Sequence, residues 1–258
     1  MTPPPLSKAR AKLIRSLQAA KHRQAQQQFV VEGAKSVLEL LASDFHTDLL
    51  VATADFLGQN HETLVRFTGE TLEASAELLA SLGNLETNDT ALAIARMKPN
   101  DPVTIPPDEW ALVLDDIRDP GNLGTILRIA DWYDITTIIA SPDTVDRYNP
   151  KVLQASMGSF TRVTVYYTDL PPLLSACTTP VFGAFLDGEN IHQVNFGPGG
   201  LIVIGNEAHG ISAPVQSHIT RRITIPRFGR AESLNAAVAT AVICDTLRNR
   251  PPAGRKSP

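Results

Sequence analysis

Three polar stretches of this 258-residue chain combine residue types suited to chemistry, and each follows an apolar run. The first, residues 115–128, reads D-D-I-R-D-P-G-N-L-G-T-I-L-R. The second, 204–212, reads I-G-N-E-A-H-G-I-S, and the third, 225–237, reads I-P-R-F-G-R-A-E-S-L-N-A-A. Asn122, Arg128, Glu207, Ser233 and Asn235 stand out in them: an amide pair, a guanidinium, a carboxylate and a hydroxyl. Read singly, each has a plainer role. Asn122 and Ser233 suit helix N-caps, Arg128 a surface charge, Glu207 a cap near Gly210–Ser212, and His209 an exposed turn. Ser233, His209 and an Asp do not make a hydrolase triad, since no G-x-S-x-G elbow occurs. Neither G-x-G-x-x-G nor G-x-x-x-x-G-K-[ST] is present, which argues against a dinucleotide or nucleotide-phosphate loop.

The elements around these turns alternate. Apolar runs at 110–115, 135–140, 162–167, 181–186, 201–205 and 222–226 are rich in β-branched residues, as strands buried on both faces of a parallel sheet require. In such sheets ligands collect at the carboxyl ends of strands, where all three polar stretches lie. Helices are expected at 123–133 and 234–249, the latter with Leu234, Val238, Val242 and Leu247 on one inward face. The N-terminal part predicts a basic helix over 7–24 with a Leu13, Leu17, Ala20 stripe. It further predicts strands at Q-Q-F-V-V, H-T-D-L-L-V-A, T-L-V-R-F and A-L-A-I-A-R, and a helix at T-L-E-A-S-A-E-L-L-A-S-L. Four prolines between Met97 and Asp108 mark a linker. The expected division is a domain over 1–98, a linker over 99–108 and a domain over 109–258.

Composition narrows the class. Hydrophobic residues make 43% and charged residues 19%, enough for a sizeable core. No apolar run approaches the ~20 residues of a membrane span, and the N-terminus lacks the apolar stretch of a signal peptide. Two distant cysteines, Cys177 and Cys244, exclude a disulfide scaffold and a Cys-based metal site and suit a reducing cytoplasm. The net charge of −4 hides an asymmetry: residues 1–35 hold seven Lys/Arg against one acid, and 36–108 hold three against twelve. The basic arm is either a solvated helix or an electrostatic footprint for phosphates.

Taken together, N-x-G-x-x-x-R at 122–128, G-N-E-x-x-G-I-S at 205–212 and I-P-x-x-G-x-x-E-S-L-N-A-A-V-A at 225–239 resemble, in order and spacing, the three motifs of the SpoU/TrmH family of SPOUT RNA 2'-O-ribose methyltransferases. The resemblance covers about 109–250. F-V-V-E-G, near the start, is similar to the L30e-like substrate-binding domain of many members. The resemblance implies an α/β fold whose C-terminal parallel-sheet domain carries a deep trefoil knot, after a small L30e-like α/β domain. It implies S-adenosyl-L-methionine (AdoMet) as cofactor, held by main-chain groups at Gly205, Ile225 and Leu234 with Asn206 and Ala236 nearby, and no metal. It implies catalytic roles for Asn122, Arg128, Glu207, Ser233 and Asn235, and a homodimer through the C-terminal domain. The implied substrate is RNA, ribosomal before transfer RNA. On that premise the basic residues Lys8, Lys12, Arg15, Lys21, Arg23, Arg227 and Arg230, with Arg221 and Arg222, are expected to meet its phosphates. Alanine at 208, where the family more often has glycine, is a departure. It narrows the backbone options if that position needs a positive φ.

Overall fold

A computed structural model describes residues 6–83 and 90–249. In chain order the elements are α1 (Lys8–Ser16), α2 (Ala20–Gln26), β1 (Gln28–Glu32), α3 (Ala34–Leu41), β2 (Thr47–Ala52), α4 (Ala54–Gln59), α5 (His61–Leu64), β3 (Glu70–Glu73), α6 (Ala76–Leu82) and β4 (Ala91–Arg96). There follow β5 (Trp110–Asp115), α7 (Pro120–Trp132), β6 (Thr137–Ala140), α8 (Pro150–Ser156), a 3-10 turn at Ser159–Thr161, β7 (Thr164–Tyr167), α9 (Leu170–Ser175), β8 (Val181–Asn190), β9 (Gly200–Gly205), α10 (Ala213–Gln216), β10 (Arg221–Thr224) and α11 (Ala236–Arg248). The chain forms two units. One holds the residues up to Pro99 together with Asp146–Arg162; the other holds Asn100–Val145 and the residues from Val163 on.

The N-terminal unit has a four-stranded sheet ordered β1-β4-β2-β3. Ile14 and Leu17 of the arm pack with Val30, Leu49, Val51 and Leu79 in its core. The expected single helix over 7–24 is two helices, and the apolar stripe is Leu13, Ile14 and Leu17, with Ala20 exposed. Ser7 caps α1 as expected, accepting from the Arg10 N–H at 3.3 Å. T-L-V-R-F is not a strand: Thr63 and Leu64 end α5, and the strand is Glu70–Glu73. The helix expected from Thr71 therefore starts only at Ala76, where the Ser75 hydroxyl accepts from the Leu78 N–H.

Residues 146–162, which the sequence reading gives to the C-terminal domain, belong to this unit. Phe29 of β1 stacks against Tyr148 at 4.5 Å and meets Phe160 edge-on at 6.2 Å. Arg23 is only 2% exposed, and its guanidinium donates to Asp146 at 2.7 Å and to the Gln18 carbonyl at 2.8 Å. A side chain so enclosed has no fork left for a phosphate, which removes Arg23 from the expected RNA-facing set.

The C-terminal unit is a six-stranded sheet ordered β10-β8-β9-β5-β6-β7, with every pairing parallel. β5 is buried along its whole length and β9 up to its last residue, which is why both read as unbroken apolar runs. The proline-rich stretch has no regular structure at 97–106, yet Val103 and Ile105 pack on the core of this unit. The C-terminal helix faces otherwise than expected. Its buried residues are Ala236, Ala237, Thr240, Ile243 and Cys244, while Leu234 and Val238 are each 48% exposed. Of the expected inner face, Leu234 and Val238 are thus open and Val242 and Leu247 only half-buried, while α11 packs against α7.

Candidate active site

Three loops leave the carboxyl ends of β5, β9 and β10, and their polar side chains meet. At the first, Asp119 caps α7 by accepting from the Asn122 N–H at 2.8 Å, and Pro120 takes the first helical position. Asn122 is therefore not the cap. It lies buried in the first turn with its side chain free to bond elsewhere. At the third, Asn235 is the cap of α11, its Oδ1 accepting from the N–H groups of Ala237 (2.9 Å) and Val238 (3.2 Å). Ser233, the other capping candidate, is exposed and forms no hydrogen bond among the described residues.

These commitments orient the rest. With its oxygen taken by α11, the Asn235 amide nitrogen donates to Asn122 Oδ1 at 2.8 Å. The Asn122 nitrogen is then left to donate to Glu207 Oε1. The chain Asn235, Asn122, Glu207 thus ties together turns more than 80 residues apart in sequence, and each amide points one way only.

The second loop is a tight turn closed by paired bonds between Asn206 and Gly210, at 3.1 and 2.8 Å. Gly210 has φ +69, a conformation that favours glycine. Ala208 is not among the residues with positive φ, so the departure noted in the sequence carries no backbone cost. A Cβ on Gly205 would stand 2.3 Å from the backbone of Gly210 and Ile211. Any side chain at Gly205 therefore meets the turn's own main chain before it could crowd a cofactor slot. Asn206 acts as a brace, donating to the Asp116 carbonyl at 2.8 Å and accepting from the Ala208 and His209 N–H groups.

Sequence reasoning assigned nothing to Asp115 and Asp116, though the paired acids at the end of a buried strand were a signal. Asp115 is buried and accepts from the Ser212 N–H at 2.7 Å, tying the end of the second loop to β5. Asp116 adopts φ 61, strained for a residue with a side chain. Its N–H donates to the Ser141 hydroxyl at 2.8 Å, which helps hold it there.

Arg128 lies six residues, about 600° of helix, beyond Asn122. It is exposed and makes no hydrogen bond or ion pair among the described residues. Ile225 and Leu234 are partly open, and Ala236 begins α11. Between Pro226 and Leu234 no main-chain group bonds to another main-chain group of the described residues, so apart from the Ala231 carbonyl a run of backbone donors and acceptors stands free there. Among the same residues Arg230 is exposed without a partner, and Arg227 reaches only the Ala231 carbonyl, at 3.3 Å. Arg221 and Arg222 are already paired with Glu189 and Asp187. On the arm, Lys8, Lys12 and Lys21 are exposed without a described partner, and Arg15 meets only the carbonyl and hydroxyl of Ser81. No cluster of three or more His, Cys, Asp or Glu able to hold a metal occurs among the described residues, and no helix among them is long and apolar enough to cross a membrane.

Comparison with known proteins gives these turns a context. The SpoU rRNA methylase family model matches residues 109–245, and that of the MRM3-like substrate binding domain matches 8–93. The chain is 28% identical to the 23S rRNA (guanosine(2553)-2'-O)-methyltransferase RlmP of Bacillus subtilis, covering 91% of this chain and 94% of that one. A TrmH-family protein of Porphyromonas gingivalis superposes with a TM-score of 0.83 at 35% identity, covering 95% of this chain and 99% of that one. An AdoMet-bound rRNA methyltransferase of Sinorhizobium meliloti superposes at 0.82 with 26% identity, covering 96% of each chain.

Proposed function

This chain belongs to the SpoU rRNA methylase family, and on that premise we propose that it methylates a ribose 2'-hydroxyl of RNA, most directly 23S ribosomal RNA, with AdoMet as donor. The observation that carries the proposal is the Asn235, Asn122, Glu207 chain, which joins all three motif turns at the carboxyl ends of the strands. A binding module with no reaction to perform has no need to hold a carboxylate at so fixed an angle.

The residues present fit AdoMet. Apart from the Ala231 carbonyl, which Arg227 reaches, the backbone from Pro226 to Leu234 offers donors and acceptors that no described main-chain group engages, Ile225 and Leu234 offer partly open apolar faces, and the turn at Gly205 and Asn206 leaves no room for a side chain at Gly205. When bound, the cofactor supplies an electrophilic methyl group. Everything else falls to the protein. The ribose hydroxyl is a weak nucleophile and must lose its proton. Glu207, fixed by Asn122, is placed to orient the ribose by accepting a charge-assisted hydrogen bond. Ser233, with a free hydroxyl, positions the same sugar. Arg128 grips the adjoining phosphate and stabilises negative charge as it develops on the oxygen. A guanidinium stays protonated in proteins, so this electrostatic role suits it better than that of a base.

The finer architecture follows the family. We read the C-terminal unit as carrying the deep trefoil knot and the N-terminal unit as L30e-like. The chain works as a homodimer, with the exposed Leu234 and Val238 supporting an interface around the start of α11. Its compartment is the cytoplasm, where its substrate resides. The test is methyl transfer from labelled AdoMet to 23S ribosomal RNA and to transfer RNA, followed by mapping of alkali-resistant positions. A single resistant nucleotide in 23S RNA is expected. No transfer to either RNA would leave only the binding-module reading.

A further inference from the structure

The N-terminal unit holds a cavity of about 340 Å³ that the motif turns do not touch. Its size is at the lower end of the ~300–1,000 Å³ typical of ligand pockets. Val30 and Glu32 of β1 and Ser36 of α3 line one side; Lys151, Leu153 and Gln154 of α8 line the other. The wall contributed by α8 exists only because residues 146–162 pack with this unit.

Four features suit this space to a nucleotide. First, β1 is an edge strand. Gly33 N–H bonds to Ala91 and Met97 N–H to Gln27, so in the antiparallel register the odd residues face β4. The N–H and C=O of Val30 then point to the open edge, a donor and acceptor side by side. Second, Ser36 is 8% exposed and its hydroxyl has no partner among the described residues. The helical serines Ser16, Ser81 and Ser156 each donate to the carbonyl three residues back; Ser36 does not. Third, α3 starts at Gly33 with no side-chain cap and no acid in its first turn, which leaves its first N–H groups available to an anion. Fourth, the Lys151 ammonium is exposed and enters no ion pair with a described residue.

We propose that this cavity receives one nucleotide of the RNA, turned out of its strand, a proposal that rests on the reading of the chain as an RNA methyltransferase. The base lies between the β1 edge and the aliphatic side of α8, pairing with Val30. Its phosphate is held by Ser36, the first turn of α3 and Lys151. The carboxylate of Glu32, which accepts from Gln18 at 3.1 Å, keeps the phosphate from its end and suits an amino group of the base. An extended peptide would also pair with a strand edge, but it gives the serine, the helix terminus and the lysine nothing to do.

The experiment measures affinity for a 23S ribosomal RNA transcript at several salt concentrations, with melting temperature and AdoMet affinity alongside. Ser36→Ala is expected to weaken RNA binding about three- to tenfold. Its melting temperature stays level or rises, because the hydroxyl lost had no partner in the free protein; a merely structural serine would move the other way. Lys151→Gln weakens binding and lowers the magnitude of the log–log salt slope by about 0.7–0.9. Ser43→Ala, just beyond the far end of α3, changes neither. AdoMet affinity is constant throughout. If the wild type binds and methylates RNA while Ser36→Ala and Lys151→Gln bind it equally well, the cavity is not a nucleotide site. An extended peptide that shifts the Val30 amide under those conditions reassigns the edge to a protein partner. If the wild type neither binds nor methylates RNA, the broader reading fails first and takes this one with it.

Discussion

In the C-terminal unit, side chains from three separate turns satisfy one another, whereas on the N-terminal arm Lys8, Lys12 and Lys21 reach into water and touch no charged partner among the described residues. The contrast separates two uses of polarity. A buried amide such as Asn122 must be bonded, since an unsatisfied one costs ~1–3 kcal/mol; once bonded, it fixes its partners in space. An unpaired surface cation adds little to stability, but its field extends about a Debye length, ~8 Å at physiological salt. The hub therefore suits orientation at a reacting centre and the arm suits attraction of a polyanion. Arg128 is a residue of the second kind placed on α7, the helix that carries Asn122 of the hub.

That placement gives the largest expected effect. Arg128→Ala should cut methyl transfer by about 10²–10³-fold, the scale for losing one stabiliser of developing charge. Arg128→Lys should fail comparably, because an ammonium cannot reproduce a planar fork. Since Arg128 bonds to no described residue in the free protein, neither change should move the melting temperature or AdoMet affinity. Near-normal turnover in either variant would separate Arg128 from the chemistry.

Gly205→Ala tests the rigidity of the hub's middle turn. The added carbon would meet the backbone of Gly210 and Ile211 at 2.3 Å, so the turn must open. A loss of ~2–3 kcal/mol is expected, read as a lower melting temperature, together with loss of AdoMet binding in calorimetry. A variant that melts normally yet fails to bind would restore the simpler picture of a crowded slot.

Both residues were visible in the sequence, and the two cases show what spacing can and cannot disclose. The motif turns were legible because β5 and β9 are buried on both faces and read as apolar runs, leaving the polar stretches between them conspicuous. The five candidate side chains all lie on those turns or on the helix that follows the first, but only Asn122, Glu207 and Asn235 bond to each other. Which amide caps which helix depends on distances between turns far apart in the chain, and no local pattern encodes that. Arg23 failed for a related reason. Its neighbours in sequence mark it as part of a basic surface, while Asp146, 123 residues away, takes it inside. The buried face of α11 was misassigned because periodicity shows that a helix has an apolar face without showing what lies against it.

The arm is tested by charge. Neutralising Lys8, Lys12, Arg15 and Lys21 should lower RNA affinity and reduce the magnitude of the salt slope by about three, at 0.7–0.9 for each phosphate left without its cation. Arg23→Ala should behave differently from these four. It leaves Asp146 without its partner and costs about 3 kcal/mol of stability, with any loss of RNA binding secondary to unfolding. Parallel salt plots for the wild type and the fourfold variant would remove the arm from the RNA surface and leave it a solvated helix.

The smallest effect reports on the hub from its far side. Cys244 lies on the buried face of α11, and burial pushes its thiol up to about 12. Only the thiolate alkylates readily, and burial keeps this thiol protonated near neutral pH. Cys244 should thus resist iodoacetamide in the native protein and react once α11 leaves α7. The first turn of α11 is held by Asn235, and Asn235 is bonded to Asn122. Asn122→Ala breaks that link and leaves the Asn235 amide without its acceptor, so the helix should undock more often and Cys244 should alkylate severalfold faster, as mass spectrometry of the modified peptide would record. Neutralising the arm should leave the rate unchanged. If Asn122→Ala alkylates no faster than the wild type, the hub orients side chains without securing the helix, and its role narrows to the placement of Glu207.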